Sequence, residues 1–191
     1  MNEHKRQGTE LRMQAALSCL LVIDVQEKLI PAIHDGDAVL DSVAWLIKLS
    51  REMDVPVRVT EQYPRGLGTT VPQIRSLVLD DELLEKVHFS CMEADTIRRQ
   101  MAAMGRRQVI MAGTEAHVCV LQSVFQLLEE GYQVFVVDDA VSSRRPRDVE
   151  LALTRMQGAG AQIVSREMVA FEWLNCAGTE LFKRLSKGYI R

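Results

Sequence analysis

Five short apolar runs, separated by longer stretches of helical periodicity, constrain the fold of this chain more than any other feature. The runs lie at residues 18–25, 55–60, 108–113, 133–138 and 161–165. They are continuous rather than alternating, which is typical of strands buried on both faces of a parallel sheet. We therefore predict five parallel strands from these runs, and a further short strand is expected at 86–89.

Between the runs, apolar residues recur at helical spacing and predict helices at 37–53, 94–104, 117–130, 146–157 and 179–187. Strands that alternate with helices form right-handed β-α-β units. The predicted fold is an α/β three-layer sandwich, with helices on both faces of a mostly parallel, Rossmann-like sheet of about six strands. A chain of 191 residues suits one domain. We expect that domain to cover 17–191, after an N-terminal tail at 1–16.

Composition excludes several classes of partner. The chain has 23 Lys and Arg against 26 Asp and Glu, a net charge of −3, and no dense basic tract, so neither nucleic acid nor an anionic membrane is an expected partner. No apolar run approaches the roughly 20 residues that span a bilayer, and residues 1–16 contain no apolar signal core. We expect a cytoplasmic protein. A mitochondrial address is the alternative, against which Glu3 and Glu10 argue weakly.

The cysteines indicate neither disulfides nor a metal site. Cys19, Cys91, Cys119 and Cys176 form no CxxC spacing, and we interpret them as free thiols. Together with the four histidines they form no cluster with the spacing of zinc ligands. No metal and no other cofactor is predicted.

Three predicted strand ends carry reactive side chains: Asp24, Lys86 and Cys119. Active sites of open α/β folds lie at the carboxyl edge of the sheet. Cys119 is expected in the first turn of a helix, where the helix dipole lowers the pKa of a thiol. Each residue also has a purely structural interpretation. Asp24 could be a capping carboxylate, Lys86 a surface lysine with an apolar stem and Cys119 a buried apolar cysteine.

The three motifs around these residues, taken in order, resemble the isochorismatase-like hydrolases, also called cysteine hydrolases. The motifs are LLVIDVQ with Asp24, EKVHFS with Lys86 and GTEAHVCV with Cys119, and VVDDAVSSR at 136–144 resembles the later strand of that family. The resemblance covers residues 17–175. TEQYPRGLG and FEWLNCAGTELFK are similar to the isochorismatase domain-containing proteins, a subgroup with poorly defined substrates.

The resemblance implies a catalytic triad of Asp24, Lys86 and Cys119. Asp24 would accept the thiol proton and return it to the leaving group, while Lys86 would keep Asp24 ionised and favour the thiolate. Cys119 would attack a carbonyl and form a thioester. The backbone N–H groups of Cys119 and Glu115 would form the oxyanion hole. The resemblance also implies a cis peptide bond between Thr114 and Glu115.

One motif departs from the nicotinamidases of that family, which carry a metal-binding Asp-x-His-Pro pattern after the second strand. This sequence has EQYP at 61–64, and tyrosine does not readily replace histidine as a zinc ligand. The metal site is therefore expected to be absent. Gln62, Tyr63 and Leu67, with Gln26, are expected to line the substrate pocket, although ordinary loop packing explains them equally well.

Three functions remain open from the sequence. The first is a metal-independent cysteine hydrolase that cleaves an amide-like C–N bond of a small molecule. The second is a vinyl-ether hydrolase of isochorismatase type, which does not need the cysteine. The third is a binding or scaffold protein that kept the fold without turnover. By resemblance the chain is also expected to form a homo-oligomer.

Overall fold

The computed structural model describes residues 11–189 and consists of one six-stranded sheet with helices on both faces. The strand order is β3-β2-β1-β4-β5-β6, and every neighbouring pair is parallel. The strands are β1 (Ser18–Ile23), β2 (Val57–Gln62), β3 (Leu83–Lys86), β4 (Gln108–Thr114), β5 (Gln133–Ser142) and β6 (Gln162–Val164). The predicted Rossmann-like three-layer fold is confirmed.

The longer helices pack on the sheet, and two short ones lie between β2 and β3. The helices are α1 (Gly36–Glu52), α2 (Pro64–Leu67), α3 (Pro72–Arg75), α4 (Asp95–Ala103), α5 (Leu121–Glu129), α6 (Pro146–Gly158), α7 (Arg166–Leu174) and α8 (Glu180–Tyr189). The sequence predicted five of these within two residues at each end, except that α5 begins later than expected. It missed α7 and the short helices α2 and α3.

The central strand β1 explains why its sequence is apolar without alternation. All six of its residues are buried. Leu20 and Val22 belong to the core cluster that includes α1, α7 and α8, whereas Leu21 and Ile23 belong to the cluster that includes α4, α5 and α6. The two faces of one strand therefore contribute to two separate hydrophobic cores, as expected for the middle layer of a sandwich.

Strand β3 lies three residues earlier than the short additional strand that the sequence predicted. We expected a strand at 86–89, but β3 ends at Lys86, and the segment that follows is irregular. Val87, His88 and Phe89 are all exposed, so this segment is not buried on both faces as a strand of this sheet would be. As a result, Lys86 lies at the carboxyl end of its strand.

Of the predicted N-terminal tail, residues 1–10 lie outside the described residues. Met13 is buried in the first core cluster, and its backbone N–H donates to the Glu172 carboxylate at 2.6 Å. No helix among residues 11–189 is long and apolar enough to cross a bilayer.

Gly113 in β4 is a position where only glycine fits. Its φ of 124° is disfavoured for residues with a side chain, and it pairs in register with Ile23 of β1. A Cβ at Gly113 would overlap the backbone nitrogen and oxygen of Ile23. This close approach brings the ends of β1 and β4 together.

We predict that Gly113→Ala lowers the free energy of unfolding by more than ~3 kcal/mol, because neither backbone can move away without breaking the sheet. The matched control is Gly158→Ala, at the end of α6, where an added Cβ meets nothing within 4 Å. Alanine there should raise stability by up to ~1 kcal/mol, since it favours a helix over glycine. Urea unfolding measures both changes, and equal effects would contradict the close-approach argument.

Candidate active site

Asp24 immediately follows β1 and is held by the neighbouring strands on both sides. Its backbone N–H donates to the Thr60 carbonyl of β2 at 3.2 Å, and its own carbonyl accepts from the Thr114 hydroxyl of β4 at 2.6 Å. The Thr60 hydroxyl donates to Asp24 Oδ1 at 2.6 Å. Asp24 is fully buried and has a left-handed φ of 51°. These contacts fix the direction of its carboxylate.

Lys86 reaches this carboxylate from β3, across the end of β2. Its Nζ lies 2.7 Å from Asp24 Oδ2, and neither side chain is exposed. The ammonium also donates to Gln62 Oε1 at 2.6 Å and to the carbonyls of Phe89 and His88 at 3.2 and 3.4 Å. The buried charge thus has a charged partner and several polar ones, which a buried ammonium requires.

Cys119 lies above the end of β4, in a turn with π-helical hydrogen bonding at Ala116–Val120. Glu115 precedes this turn with φ 57° and ψ 56°, and its carbonyl accepts from the N–H groups of Val118 and Val120. Cys119 is 4% exposed, and its sulfur lies close enough to the Asp24 carboxylate to interact with it. Asp24, Lys86 and Cys119, which the sequence singled out separately, therefore form one contiguous group.

The electrostatics of Cys119 differ from the sequence expectation, in which a helix dipole lowered its pKa. Burial raises the pKa of the Cys119 thiol well above its usual range, and the negative charge of Asp24 raises it further. Lys86 offsets part of this effect. The expectation was wrong because the α-helix begins only at Leu121, which leaves Cys119 buried in the preceding turn. Burial and Asp24 therefore both favour the protonated thiol.

The predicted cis peptide bond between Thr114 and Glu115 is also wrong, since no peptide bond among residues 11–189 is cis. The chain turns instead through the left-handed conformation of Glu115. A left-handed residue reverses the chain at a smaller cost than the roughly 3–4 kcal/mol of a non-proline cis bond.

Of the four residues expected to line the substrate pocket, Gln26 and Gln62 are buried and hydrogen-bonded to each other. Gln26 Oε1 accepts from the Gln62 N–H at 2.7 Å, while Gln26 Nε2 donates to the carbonyls of Gln62 and Gly68 at 3.0 and 2.6 Å. Gln62 Nε2 donates to the Val87 carbonyl at 2.7 Å. Their side-chain amides thus connect β1 and β2 to the following loop.

Tyr63 is 53% exposed and lines a cavity of about 500 Å³, whereas Leu67 is half-buried in α2 and is not among the lining residues. Lys86 contributes to the wall of the same cavity, which places this cavity beside the triad. The complete lining is Tyr63, Pro64, Arg65, Glu85, Lys86, Val87, His88, Glu93 and Ala94.

Glu61, the acidic residue of the EQYP segment, stabilises the loop that follows β2. Both the backbone N–H and the hydroxyl of Thr70 donate to Glu61 Oε1 at 2.6 Å. Among residues 11–189, no three or more His, Cys, Asp or Glu side chains are grouped so that they could hold a metal ion.

Comparison with known proteins identifies the family. Residues 18–168, most of the chain, match the Isochorismatase domain family. The chain belongs to the isochorismatase family. The predicted resemblance is thereby confirmed, and Asp24, Lys86 and Cys119 all lie within the matched segment.

Among similar proteins of the family is isochorismatase domain-containing protein 2 of Danio rerio, 36% identical over 92% of this chain and 88% of that protein. The secreted isochorismatase effector Isc1 of Phytophthora sojae is 37% identical over 89% of this chain and 83% of that protein.

Two solved structures have the same fold over almost the whole chain. The MAR1 ribonuclease of Caenorhabditis elegans matches with a TM-score of 0.88 and 34% identity, covering 94% of this chain and 93% of that one. The YcaC gene product of Escherichia coli, described as an octameric hydrolase of unknown specificity, matches with a TM-score of 0.88 and 25% identity, covering 94% and 91%.

Sequence reasoning missed the hydroxyls that orient this isochorismatase-family site. Thr60 and Thr114 each end or nearly end a strand, and each hydroxyl donates to Asp24. Threonine at the end of an apolar strand is a weak signal, because it is common in strands generally. His117 within the Cys119 turn was missed as well, as were Ser143 and Arg144, which contact His117 and Glu115.

We predict that Lys86→Met lowers the free energy of unfolding by ~3–5 kcal/mol, because it leaves the Asp24 carboxylate buried without a counter-charge. Adding Asp24→Asn should recover part of this loss, since the unpaired charge is then gone. Urea unfolding of both single variants and the double variant measures the coupling.

The matched control is Lys183→Met, which removes an ion pair to Glu180 with the same 2.7 Å separation on the exposed surface. It should change stability by ~0–1 kcal/mol. A Lys86→Met effect no larger than this control would contradict the buried ion pair.

Proposed function

We propose that this protein is a metal-independent cysteine hydrolase that cleaves an amide-like C–N bond of a small molecule through a thioester on Cys119. One observation carries the proposal: Cys119 lies close enough to the Asp24 carboxylate to interact with it, and Oδ2 of that carboxylate accepts from Lys86 Nζ at 2.7 Å. A nucleophile bound to a base that is itself oriented by a third group is the arrangement that covalent catalysis requires.

In the proposed reaction, Asp24 takes the proton of Cys119 as the sulfur attacks the substrate carbonyl. The tetrahedral oxyanion accepts hydrogen bonds from the backbone N–H groups of Glu115 and Cys119, and its collapse breaks the C–N bond. Asp24 returns the proton to the leaving nitrogen. Water then attacks the thioester with Asp24 as the base, which releases the acid and restores the thiol.

The raised pKa of Cys119 supports the role of Asp24 as proton acceptor in this scheme. Burial and the charge of Asp24 favour the protonated thiol, so in this scheme the proton leaves during the attack rather than before it. Lys86 stabilises the negative charge on Asp24, from which its Nζ lies 2.7 Å away. The side chains of Gln26 and Gln62 hold the surrounding strands, and of the four expected pocket residues we assign only Tyr63 to substrate contact.

We predict that Cys119→Ala lowers turnover of the true substrate by about a thousandfold or more, as expected for loss of a covalent nucleophile. Asp24→Asn should have a comparable effect, because no base remains to take the thiol proton. The measurement is a screen of purified protein against amides, ureides and a short RNA, followed by kinetics of each variant on the best substrate.

Cys176→Ala is the matched control, because this exposed cysteine lies in the segment between α7 and α8. It should retain full turnover. Retained turnover in Cys119→Ala would exclude the thioester route. Absence of turnover on every substrate class would favour a binding or scaffold role, and cleavage of RNA would replace the small-molecule substrate.

A second candidate is hydrolysis of the vinyl ether of isochorismate, because the similar Phytophthora protein is named an isochorismatase effector. That reaction protonates the substrate and needs an acid rather than a sulfur nucleophile. Product analysis with isochorismate distinguishes the two. Cleavage that survives Cys119→Ala and is lost in Asp24→Asn would assign the second function.

We also propose that the protein acts in the cytoplasm as a homo-oligomer. The E. coli YcaC protein is described as octameric, and it covers nearly the whole of this fold. In this chain Val87 and Phe89 are apolar and are 68% and 54% exposed next to Lys86, on the segment that follows edge strand β3. Burial of such side chains between copies would stabilise an assembly.

Sedimentation velocity of the purified chain should therefore give a mass that is a multiple of 21.6 kDa. Replacing Val87 and Phe89 together by serine should shift the distribution towards the monomer, because the apolar contact is lost. The matched control is Leu151→Ser, an exposed apolar residue of α6. A monomer in the unmodified protein would contradict the proposal.

A further inference from the structure

An ion pair outside the triad holds the turn that carries the nucleophile. Arg144 Nε lies 3.0 Å from Glu115 Oε1, and the Glu115 side chain is largely buried whereas that of Arg144 is 57% exposed. Glu115 begins the Cys119 turn, and Arg144 lies two residues after the end of β5. The pair therefore connects the loop after β5 to the nucleophile turn.

The same loop contacts the turn at a second point. The Ser143 hydroxyl accepts from the His117 N–H at 3.3 Å and lies 2.9 Å from His117 Nδ1. Arg144 Nη2 lies 3.4 Å from His117 Nε2, so the imidazole lies between the two loop residues. Ser143 itself is fully buried and its carbonyl accepts from the His34 N–H at 2.8 Å. The loop is thus also anchored to His34, independently of its contacts with the turn.

The turn needs such support, because Glu115 has a left-handed backbone conformation, which is unfavourable for a residue other than glycine. The N–H groups of Val118 and Val120 both donate to the Glu115 carbonyl, so the conformation of Glu115 decides the path of the chain to Cys119. A contact that fixes Glu115 therefore also fixes the sulfur and the two backbone N–H groups assigned to the oxyanion.

The Glu115 carboxylate has an electrostatic effect as well. The charged groups that act on the Cys119 thiol are Asp24 after β1, Lys86 at the end of β3 and Glu115 on its own turn. Asp24 and Glu115 raise the pKa of the thiol. The positive charge of Arg144 lies beside the Glu115 carboxylate. It therefore reduces the electrostatic repulsion between that carboxylate and a thiolate forming on Cys119.

We propose that Arg144 is a positioning residue of the hydrolase, which holds Glu115 in its left-handed conformation and offsets the carboxylate charge beside the nucleophile. We name Arg144, Glu115, Ser143 and His117 the Arg144 clamp. The proposal rests on the proposed function, since it assigns Arg144 a task in preparing Cys119 and involves no contact with the substrate.

The test measures iodoacetamide alkylation of the full chain, peptide by peptide, from about pH 7 to about pH 10. Because the pKa of Cys119 is raised, its rate there follows a small thiolate fraction that grows with pH. The variants are Arg144→Ala, Arg144→Lys and the double variant Arg144→Ala with Glu115→Gln. Exposed Cys176 is an internal control in every sample. Arg147→Ala is the matched control, because Arg147 makes an exposed ion pair with Glu150 three residues along α6.

Arg144→Ala should slow the alkylation of Cys119 by about fivefold, the factor expected for loss of one partly exposed ion pair, and should displace the pH profile upward. Arg144→Lys should retain most of the rate, because its charge remains. The double variant should return the pH profile towards that of the unmodified protein, since no unpaired carboxylate is left. Cys176 and Arg147→Ala should show no change.

Hydrogen exchange of the backbone amides in the segment Ala116–Val120 gives a second measurement, which needs neither turnover nor thiol reactivity. Exchange should be about fivefold faster in Arg144→Ala than in Arg147→Ala, because the turn loses its restraint. A Cys119 rate at or above that of the unmodified protein, with unchanged exchange, overturns the clamp.

The outcome for the clamp can be separated from the outcome for the proposed function. If no substrate is hydrolysed but the alkylation and exchange effects are present, the proposed function fails and the clamp stands as a restraint on Cys119. If substrate is hydrolysed and both effects are absent, the function stands and the clamp fails.

Discussion

The buried ion pair between Lys86 and Asp24 is the interaction on which the site depends. The two residues come from strands that are not neighbours, so the ammonium has to cross the carboxyl end of β2. A buried charge without its partner is strongly destabilising. The ends of β1, β2 and β3 therefore have to keep their relative positions, and Thr60 and Gln62 supply the polar contacts that β2 contributes to this pair.

The same arrangement acts on Cys119. The same burial that removes water from Asp24 and Lys86 also covers Cys119 and raises its pKa, and the Asp24 carboxylate adds to the effect. In the proposed mechanism the sulfur needs a proton acceptor in contact with it, because burial disfavours the thiolate. Gly113 and the left-handed Glu115 bring the turn close enough for that contact.

The loop after β2 illustrates how the family fold is adapted in this chain. In nicotinamidases this region carries metal ligands, whereas here Glu61 accepts two hydrogen bonds from Thr70, and Gln26 binds the backbone of Gln62 and Gly68. Hydrogen bonds within the chain thus hold the loop over the edge of the sheet. Tyr63 remains exposed at the cavity beside Lys86.

The sequence by itself determined the layers of the fold and the three reactive strand ends, because apolar periodicity reports burial and the ends of parallel strands share one edge. It could not determine which partners these residues have. The order of the strands decided that Lys86 reaches Asp24, and burial in a turn decided that the pKa of Cys119 is raised rather than lowered. Gln26 and Gln62, which were expected to line the pocket, hydrogen-bond to each other instead. The ion pair between Arg144 and Glu115 became visible only in the folded structure. Such pairings join residues distant in sequence, and local pattern carries no information about them.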